Sequence, residues 1–307
     1  FDDLALANRL SFFLLIFILG LFILENISRK KAQYHSLLKD GFKSKTVIPL
    51  KGYKSFLAFF FCLFVFFSSF VFPVLQMLYW SIIFPKHFID LNVLDLFLNT
   101  ILLVFLSSCV LISLAIISNY SNRVSKSKFL EILTTFSISG YALPGIILAV
   151  AFITFISWLD NNVINFFGFS TIKSIFIGSI LGLVLVYFVR FYSLACNGIK
   201  SGYLKINYSI DESAYLLGYS KLKTFTNIHI PYLKNSILLI GILIAIEIIK
   251  ELPITLIMRP FNFETFATTA YIYASQDLLE AAAAPSLFLI IIASFFILIT
   301  SKYILKD

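Results

Sequence analysis

The chain has 307 residues, of which 60% are apolar and only 13% are charged, and its net charge is +8. A water-soluble protein usually carries about 25% charged residues, so the composition excludes a soluble globular fold. It predicts a membrane protein instead.

Seven apolar runs are long enough for membrane-spanning helices, because about 20 apolar residues are needed to cross the hydrocarbon layer. Long runs favour helices over the short alternating strands of a membrane β-barrel. The expected fold is therefore an all-α polytopic bundle. The predicted spans lie at residues 9–26, 56–80, 96–118, 131–157, 174–194, 235–257 and 286–301.

Basic side chains are concentrated in alternate segments between these spans. Basic loops stay on the cytoplasmic side of a membrane, so the pattern predicts an external N-terminus and a cytoplasmic C-terminus. The positive charge then encodes topology and requires no nucleic-acid partner. The basic residues on the predicted cytoplasmic side are Arg29, Lys30, Lys31, Lys39, Lys43, Lys45, Lys51, Lys54, Arg123, Lys126, Lys128, Lys200, Lys205, Lys221, Lys223, Lys302 and Lys306, with Arg190 and Lys234 at the edges of one loop.

The spans divide the chain into three parts. Residues 1–26 hold one span, residues 27–55 form a basic cytoplasmic linker, and residues 56–307 hold six spans with both ends inside. The chain begins without Met, and its first residues lack the charged leader of a signal peptide. We therefore expect it to be the C-terminal part of a longer protein.

The residue types that support catalysis or metal binding are scattered. Cys62, Cys109 and Cys196 have no pairing or metal-ligand spacing, and the three His residues lie apart in the sequence. No Gly is followed directly by Lys, so the phosphate-binding G-x-x-x-x-G-K-[ST] loop is missing. We expect no bound cofactor and no ATP hydrolysis by this chain.

The predicted cytoplasmic loop 195–233 reads as one or two short amphipathic helices broken near Gly218. The loop contains, at fixed spacing, Glu212, Ser213, Ala214, Gly218, Ile228, Ile230 and Pro231. This pattern resembles the loop by which permeases of binding-protein-dependent ABC importers contact their ATPase. In that loop Glu-Ala-Ala is followed by Gly and by Ile-x-aliphatic-Pro, so Ser213 stands in place of the first Ala. The alternative is an amphipathic helix lying on the inner leaflet.

Each residue type in this loop suits a short docking helix. Gly218 permits a left-handed turn, and Pro231 can begin the next span because it needs no backbone donor. Glu212 offers a carboxylate to a basic residue of the partner. The resemblance implies a cytoplasmic ABC ATPase dimer as that partner, with ATP used by the ATPase. The literal Glu280-Ala281-Ala282 lacks the following Gly and lies on the predicted outer side.

The sixth predicted span contains Glu247, Lys250 and Glu251 and ends near Pro253. A charge at the centre of a membrane helix costs about 3 kcal/mol on insertion scales. Helical spacing places Glu247 on one face with the other two charges. The group either neutralises itself near the outer interface or leaves one negative charge facing the interior. The second case predicts a cation pathway or gate, with transient iron contact at Glu247 and Glu251.

Three further stretches are distinctive: Lys250–Leu256 continued by Arg259–Phe263, Gly140–Gly145, and Tyr187–Phe191. Together they resemble the matching stretches of ferric-iron importer permeases. That family fuses two six-span units in one chain, so residues 1–26 would end a truncated first unit.

The resemblance implies that Pro144 and Gly145 bend a helix lining the transport path, although a packing kink explains them equally well. It also implies that Arg259, Pro260, Phe261 and Asn262 contact a periplasmic solute-binding protein, with a structural turn as the alternative.

Together these patterns predict a permease of the bacterial inner membrane that imports ferric iron by alternating access. Other ABC importer cargoes, such as thiamine, a polyamine or an oxyanion, are alternatives. An ion-coupled secondary transporter using Glu247 and Glu251 is a further alternative, and a membrane-embedded enzyme is disfavoured because convergent His, Asp or Ser groups are missing from the spans.

Overall fold

A computed structural model describes residues 50–89, 91–125, 127–167 and 174–304, with a few residues between 9 and 24. All regular elements within these ranges are helical, which confirms the all-α prediction. Most of the predicted first span 9–26 and most of the linker 27–55 lie outside the described residues.

Most of the described connections between the helices are short. In chain order they are α1 (Tyr53–Phe66), a π turn (Phe67–Val71), α2 (Phe72–Ile83), α3 (Pro85–Ile89), α4 (Val93–Ser125), α5 (Lys128–Ile138), a 3-10 turn (Ser139–Ala142), α6 (Gly145–Phe167), α7 (Ile180–Tyr203), α8 (Tyr208–Leu216), α9 (Lys221–Thr224), a second π turn (Phe225–His229), α10 (Ile230–Ile249), α11 (Pro253–Met258), α12 (Phe266–Ser275) and α13 (Leu279–Ile304).

Six helical runs in the described part are long and apolar enough to cross a membrane. They confirm a polytopic helix bundle and correspond to the last six predicted spans, with different ends. These runs are Tyr53–Ile83, Val93–Ser125, Gly145–Phe166, Ile180–Tyr203, Lys221–Ile249 and Leu279–Lys302.

The span predicted at 174–194 is displaced along the sequence. It begins at Ile180, where the Ser179 side chain caps the helix, and it continues to Tyr203. Arg190 therefore lies near the middle of a spanning helix. The prediction that Arg190 lies at the edge of a cytoplasmic loop is wrong.

The span predicted at 131–157 is not one helix. The chain leaves the helical conformation after Ile138 through a 3-10 turn, and Leu143 is extended with φ −83° and ψ 133°. A residue before proline is excluded from the α region by contact with the proline ring, and Pro144 follows Leu143 directly. The predicted bend at Pro144 and Gly145 is instead a complete interruption, after which Gly145 begins α6.

The span predicted at 235–257 is also interrupted. Helix α10 ends at Ile249, and α11 begins at Pro253. The residues between them, 250–252, connect the two helices. The expectation that Glu247, Lys250 and Glu251 share one continuous helix is therefore wrong.

Two prolines are accommodated inside helical runs by π turns. Proline lacks an N–H, and its ring clashes with the carbonyl group one turn earlier. A π turn widens the helix and relieves this conflict. Such turns at Phe67–Val71 and Phe225–His229 precede Pro73 and Pro231. Pro231 lies in the first turn of α10, as predicted, and the π turn joins α10 to a helical run that starts earlier, at Lys221.

The core is formed where α7 packs against α4 and α10. Its largest fully buried side chains include Tyr187, Phe191 and Leu111. Small residues bring α7 and α10 together, since a Cβ atom at Gly198 would lie 2.6 Å from Cγ1 of Ile240. Close approach through small residues is the usual way in which membrane helices pack. Helices α1 and α2 contain no buried residue, as expected for an apolar surface facing lipid or another membrane segment.

Candidate functional site

The two interruptions lie beside the same part of α7. The first interruption, at 139–144, packs closely against α7: a Cβ atom added at Gly140 would overlap the carbonyl oxygen of Val189. In the second, Oε2 of Glu251 lies 3.3 Å from Nε of Arg190. Both helix breaks therefore meet around Arg190 inside the bundle. Interrupted membrane helices expose backbone polar groups at depth, and such backbone is tolerated where it is buried in protein or lines a cavity.

Glu251 is held on several sides. It is only 6% exposed, and its Oε1 accepts a hydrogen bond from the backbone N–H of Ile254 at 3.3 Å. Its carbonyl oxygen accepts from the hydroxyl of Thr255, which is also hydrogen-bonded to the hydroxyl of Tyr187. The carboxylate thus closes the first turn of α11 and links it to α7. Paired charges of this kind avoid the penalty of an isolated buried charge.

Gly145 fits against the ion pair. A Cβ atom there would lie 2.5 Å from Nη1 of Arg190 and 3.0 Å from Oε1 of Glu251. Nη1 of Arg190 also donates to the carbonyl oxygen of Leu143 at 3.4 Å. Glycine at this position is explained by space, because any side chain would enter the volume of the ion pair. We name Gly145, Arg190 and Glu251 the mid-bundle cluster.

The other two charges of the predicted pathway form a separate pair. Nζ of Lys250 lies 2.8 Å from Oε1 of Glu247, and the Lys250 side chain is 54% exposed. With Arg190 beside Glu251, the four side chains balance to zero. The argument for one surplus negative charge facing the interior is therefore wrong. Pro253 begins α11 next to the cluster, and Pro144 precedes Gly145.

The predicted docking loop forms a short helix with a defined end. Gly218 has φ +81°, which confirms the left-handed turn. Its N–H donates to the carbonyl of Tyr215, and the N–H of Tyr219 donates to the carbonyl of Ala214, both at 3.0 Å. These two bonds form a Schellman motif, which satisfies the last carbonyl groups of a helix. Helix α8 is thereby separated from the run that starts at Lys221.

The face of α8 that points away from the bundle is exposed and largely apolar. Leu216 is 89% exposed and Leu217 is 79% exposed. Glu212 and Ser213 are exposed, whereas Ala214 is buried against the bundle. Exposed leucines beside a carboxylate are typical of a protein-docking surface. We name Glu212, Ser213, Leu216 and Leu217 the α8 surface.

A cavity of about 420 Å³ lies beside this surface, between α8 and the following helical run. Ser213, Ala214 and Leu217 line it from α8, and Ile228 lines it from the second π turn. Ile228 and Ile230 are half-buried, and Pro231 is exposed. Three of the motif residues, Ser213, Ala214 and Ile228, therefore line one groove at this end of the bundle.

Three functional candidates at this end were not predicted. Asp211 is buried, with Oδ2 2.7 Å from Nε of Arg123 and Oδ1 3.0 Å from Nε2 of His229. The sequence motif indicates the exposed Glu212, whereas its neighbour Asp211 is the buried carboxylate. Helical spacing offered one signal, since Asp211 and Ala214 are three residues apart and so lie on the same face of α8.

The predicted binding-protein contact is a tight turn after α11. The N–H of Phe263 donates to the carbonyl oxygen of Pro260 at 3.2 Å, and Asn262 has φ +58°. Arg259 forms an ion pair with Glu264 and also donates to the carbonyl of Phe263. Phe261 projects from the turn and is 98% exposed. An exposed aromatic ring on a turn fixed by an ion pair and a hydrogen bond suits either a protein contact or the membrane interface.

The carboxylates described within the bundle do not form a metal site. Among the residues that the structure describes, no group of three His, Cys, Asp or Glu side chains converges. Glu247 and Glu251 each face a cation of their own. A transient metal contact at these residues would have to displace Lys250 or Arg190.

The fold is similar to that of chains in two crystal structures. One is a bacterial ABC transporter involved in the import of the acidic polysaccharide alginate, with TM-score 0.63 and 16% identity over 91% of this chain and 97% of that chain. The other is a bacterial alginate ABC transporter in complex with an alginate pentasaccharide-bound periplasmic protein, with TM-score 0.63 and 16% identity over 80% and 92%. No protein-family model and no curated protein matches the sequence. At this identity the likeness shows a shared fold.

Proposed function

We propose that the chain is a membrane-spanning permease of an ABC importer in the bacterial inner membrane. The observation that carries this proposal is α8, a short helix ended by Gly218 at φ +81° and presenting exposed Leu216 and Leu217. Its sequence is in register with the ATPase-contacting loop of such permeases. The shared fold with a chain of an ABC transporter supports the same function.

In this proposal a separate cytoplasmic ATPase dimer docks on the α8 surface. Closure of the ATPase on ATP moves α8, and the bundle alternates between inward-facing and outward-facing forms. The mid-bundle cluster lies where two spans are interrupted, and interruptions divide a helix into segments that can move separately. Phe261 and its turn would meet a periplasmic solute-binding protein. This orientation places the C-terminus in the cytoplasm and the N-terminus outside.

Ferric iron is the cargo we propose, on the resemblance of Lys250–Leu256 and Arg259–Phe263 to ferric-iron permeases. The charges inside the bundle give no further support to a cationic cargo, because Arg190 neutralises Glu251 and Lys250 neutralises Glu247. A polyamine, thiamine or an oxyanion would need the same ATPase and the same docking helix. Cargo is therefore tested separately from mechanism.

A secondary transporter driven by protons or sodium is the competing proposal. It would use Glu251 as an ion site and would need no docking helix. Glu251 is already engaged by Arg190 and by the N–H of Ile254. A carboxylate held in this way resembles a structural link more than a free ion ligand, which favours the ATP-driven proposal.

The test is solute uptake into vesicles containing the complete transporter with its ATPase and binding protein. We expect uptake of labelled ferric iron to require all three components and ATP. Gly218→Val should abolish uptake at normal protein level, because a β-branched residue strains the left-handed turn. Gly218→Asn is the matched control, since Asn tolerates this conformation best after Gly.

The outcomes separate cargo from mechanism. ATP-dependent uptake of another solute but not iron would retain the importer and reject the cargo. Uptake that continues without the ATPase, driven by an ion gradient, would reject the importer.

A further inference from the structure

Arg123 lies at the end of α4 and reaches three separate parts of the α8 region. Its Nε lies 2.7 Å from Oδ2 of Asp211 on α8. Its Nη2 donates to the carbonyl oxygen of Asn207 at 3.1 Å, just before α8. Its guanidinium group lies over the ring of Tyr208, 4.2 Å from the centroid. One side chain therefore holds the beginning and the first turns of α8.

The carboxylate of Asp211 extends this contact to the next span. Its Oδ1 lies 3.0 Å from Nε2 of His229, which is fully buried in the second π turn. Tyr120, one turn before Arg123 on α4, packs its ring edge against His229 and donates to the carbonyl oxygen of Lys221 at 2.6 Å. The ends of α4 and of the Lys221–Ile249 run are thus tied to α8 at the same place.

This arrangement is specific for a guanidinium group. The side chains of Arg123 and Asp211 are only 7% and 11% exposed, so the pair lies in a medium where an unpaired charge is expensive. Arg presents donors in a rigid planar fork, and it stacks on aromatic rings. A lysine can supply the charge, but it cannot bond Asp211 and Asn207 together while stacking on Tyr208.

We propose that Arg123 is the positioning residue that makes α8 move as one body with α4 and the Lys221–Ile249 run. The inference rests on the proposed function, because it assigns a task to α8 in transmitting motion from an ATPase. Glu212 and the leucines face outward for docking, whereas Arg123 and Asp211 hold the helix from inside. Docking and transmission are thereby assigned to opposite faces of α8.

The experiment compares Arg123→Gln, Arg123→Lys, Asp211→Asn and the double variant Arg123→Gln/Asp211→Asn in the complete transporter. Lys200→Gln is the control, because Lys200 is an exposed cation near the same end with no ion pair in the described ranges. Two properties are measured. One is the amount of solute taken up per ATP hydrolysed, and the other is hydrogen exchange of the backbone amides of residues 207–219.

We expect Arg123→Gln to lower uptake per ATP by about tenfold, the scale of a typical coupling free energy, while the ATPase still assembles and hydrolyses ATP. Amides of 207–219 should exchange faster in this variant and at the wild-type rate in Lys200→Gln. Arg123→Lys should rescue only part of the loss. The double variant should be no worse than the poorer single variant, because residues that act as one unit are not additive.

Two results would overturn the inference. One is unchanged uptake per ATP and unchanged exchange in Arg123→Gln. The other is a loss of assembled transporter in Arg123→Gln with wild-type exchange at 207–219, which would assign Arg123 to general folding. Hydrogen exchange can be measured without any transport. A wild-type chain that moves no solute would therefore reject the proposed function. The attachment of α8 by Arg123 would then still be tested by the exchange rates of residues 207–219.

Discussion

Glu251, in the connection between α10 and α11, pairs with Arg190 in the middle of α7. The pair joins an interrupted helix to a continuous one, and Gly145 of the other interrupted span lies against it. Three segments with separate places in the sequence are therefore held by a single pair of opposite charges. The following predictions begin with this pair.

Glu251→Gln removes the negative charge and leaves Arg190 uncompensated inside the bundle. Breaking a buried ion pair from one side costs about 3 kcal/mol, so we expect a lower unfolding temperature of the purified protein and a loss of uptake. Glu247→Gln is the control, because the Glu247–Lys250 pair is more exposed and should contribute less than about 1 kcal/mol. Equal effects of the two changes would contradict the assignment of Glu251 to the mid-bundle cluster.

Gly145→Ala introduces a methyl group into the space of the ion pair. The new Cβ would lie 2.5 Å from Nη1 of Arg190, so the guanidinium group must shift from its present place beside Glu251, and transport should fall. Gly241→Ala is the matched change in α10, where the Cβ would lie 3.3 Å from the flexible end of Ile112. Thermal unfolding and uptake are measured for both proteins. A larger effect at Gly241 than at Gly145 would contradict the prediction.

Gly218→Ala tests backbone conformation alone. No atom lies within 4 Å of a Cβ at this position, so the cost comes only from the positive φ of +81°. A left-handed conformation costs a non-glycine residue about 1 kcal/mol. We expect α8 to lose its fixed end, which hydrogen exchange at Tyr219 would detect, with the spans unaffected. Wild-type exchange at Tyr219 would show that the turn does not depend on glycine.

Phe261→Ser tests the turn after α11. Phe261 is 98% exposed, so its removal should leave the unfolding temperature unchanged and weaken binding of the periplasmic protein. Phe263→Ser is the contrasting change, because Phe263 is buried and its loss should destabilise the protein by about 3 kcal/mol. Binding is measured by surface plasmon resonance on the reconstituted transporter. Unchanged affinity with Phe261→Ser would assign the ring to the membrane interface.

Much of the fold follows from local patterns in the sequence. Apolar length identified the spans, and the position of Gly218 identified the end of α8. The ion pairs could not be predicted in this way, because Arg123 and Asp211 are 88 residues apart and no local period relates them. Arg190 carried one usable signal, since a charge within an apolar run needs a partner. A predicted span end at 194 hides this signal, because it places Arg190 at the edge of a loop, whereas the helix continues to Tyr203.

The helix breaks were hidden for a related reason. Hydropathy averages over a span and does not register the conformation of one residue before a proline. Leu143 is as apolar as its neighbours, yet Pro144 forces it out of the helix. The sequence predicted a bend there because Pro and Gly were interpreted as weak points of one helix. The structure has two helices instead.

The π turn at Phe225–His229 changes the rotational phase of the helical run that contains it. A π turn holds one residue more than an α turn, and one residue corresponds to about 100° around a helix axis. Side chains before the turn, such as Leu222, are therefore rotated about the helix axis. In a regular α-helix continuous with α10 they would face another direction. The same extra residue that accommodates Pro231 also sets the direction in which the α8 end of the bundle presents its surface.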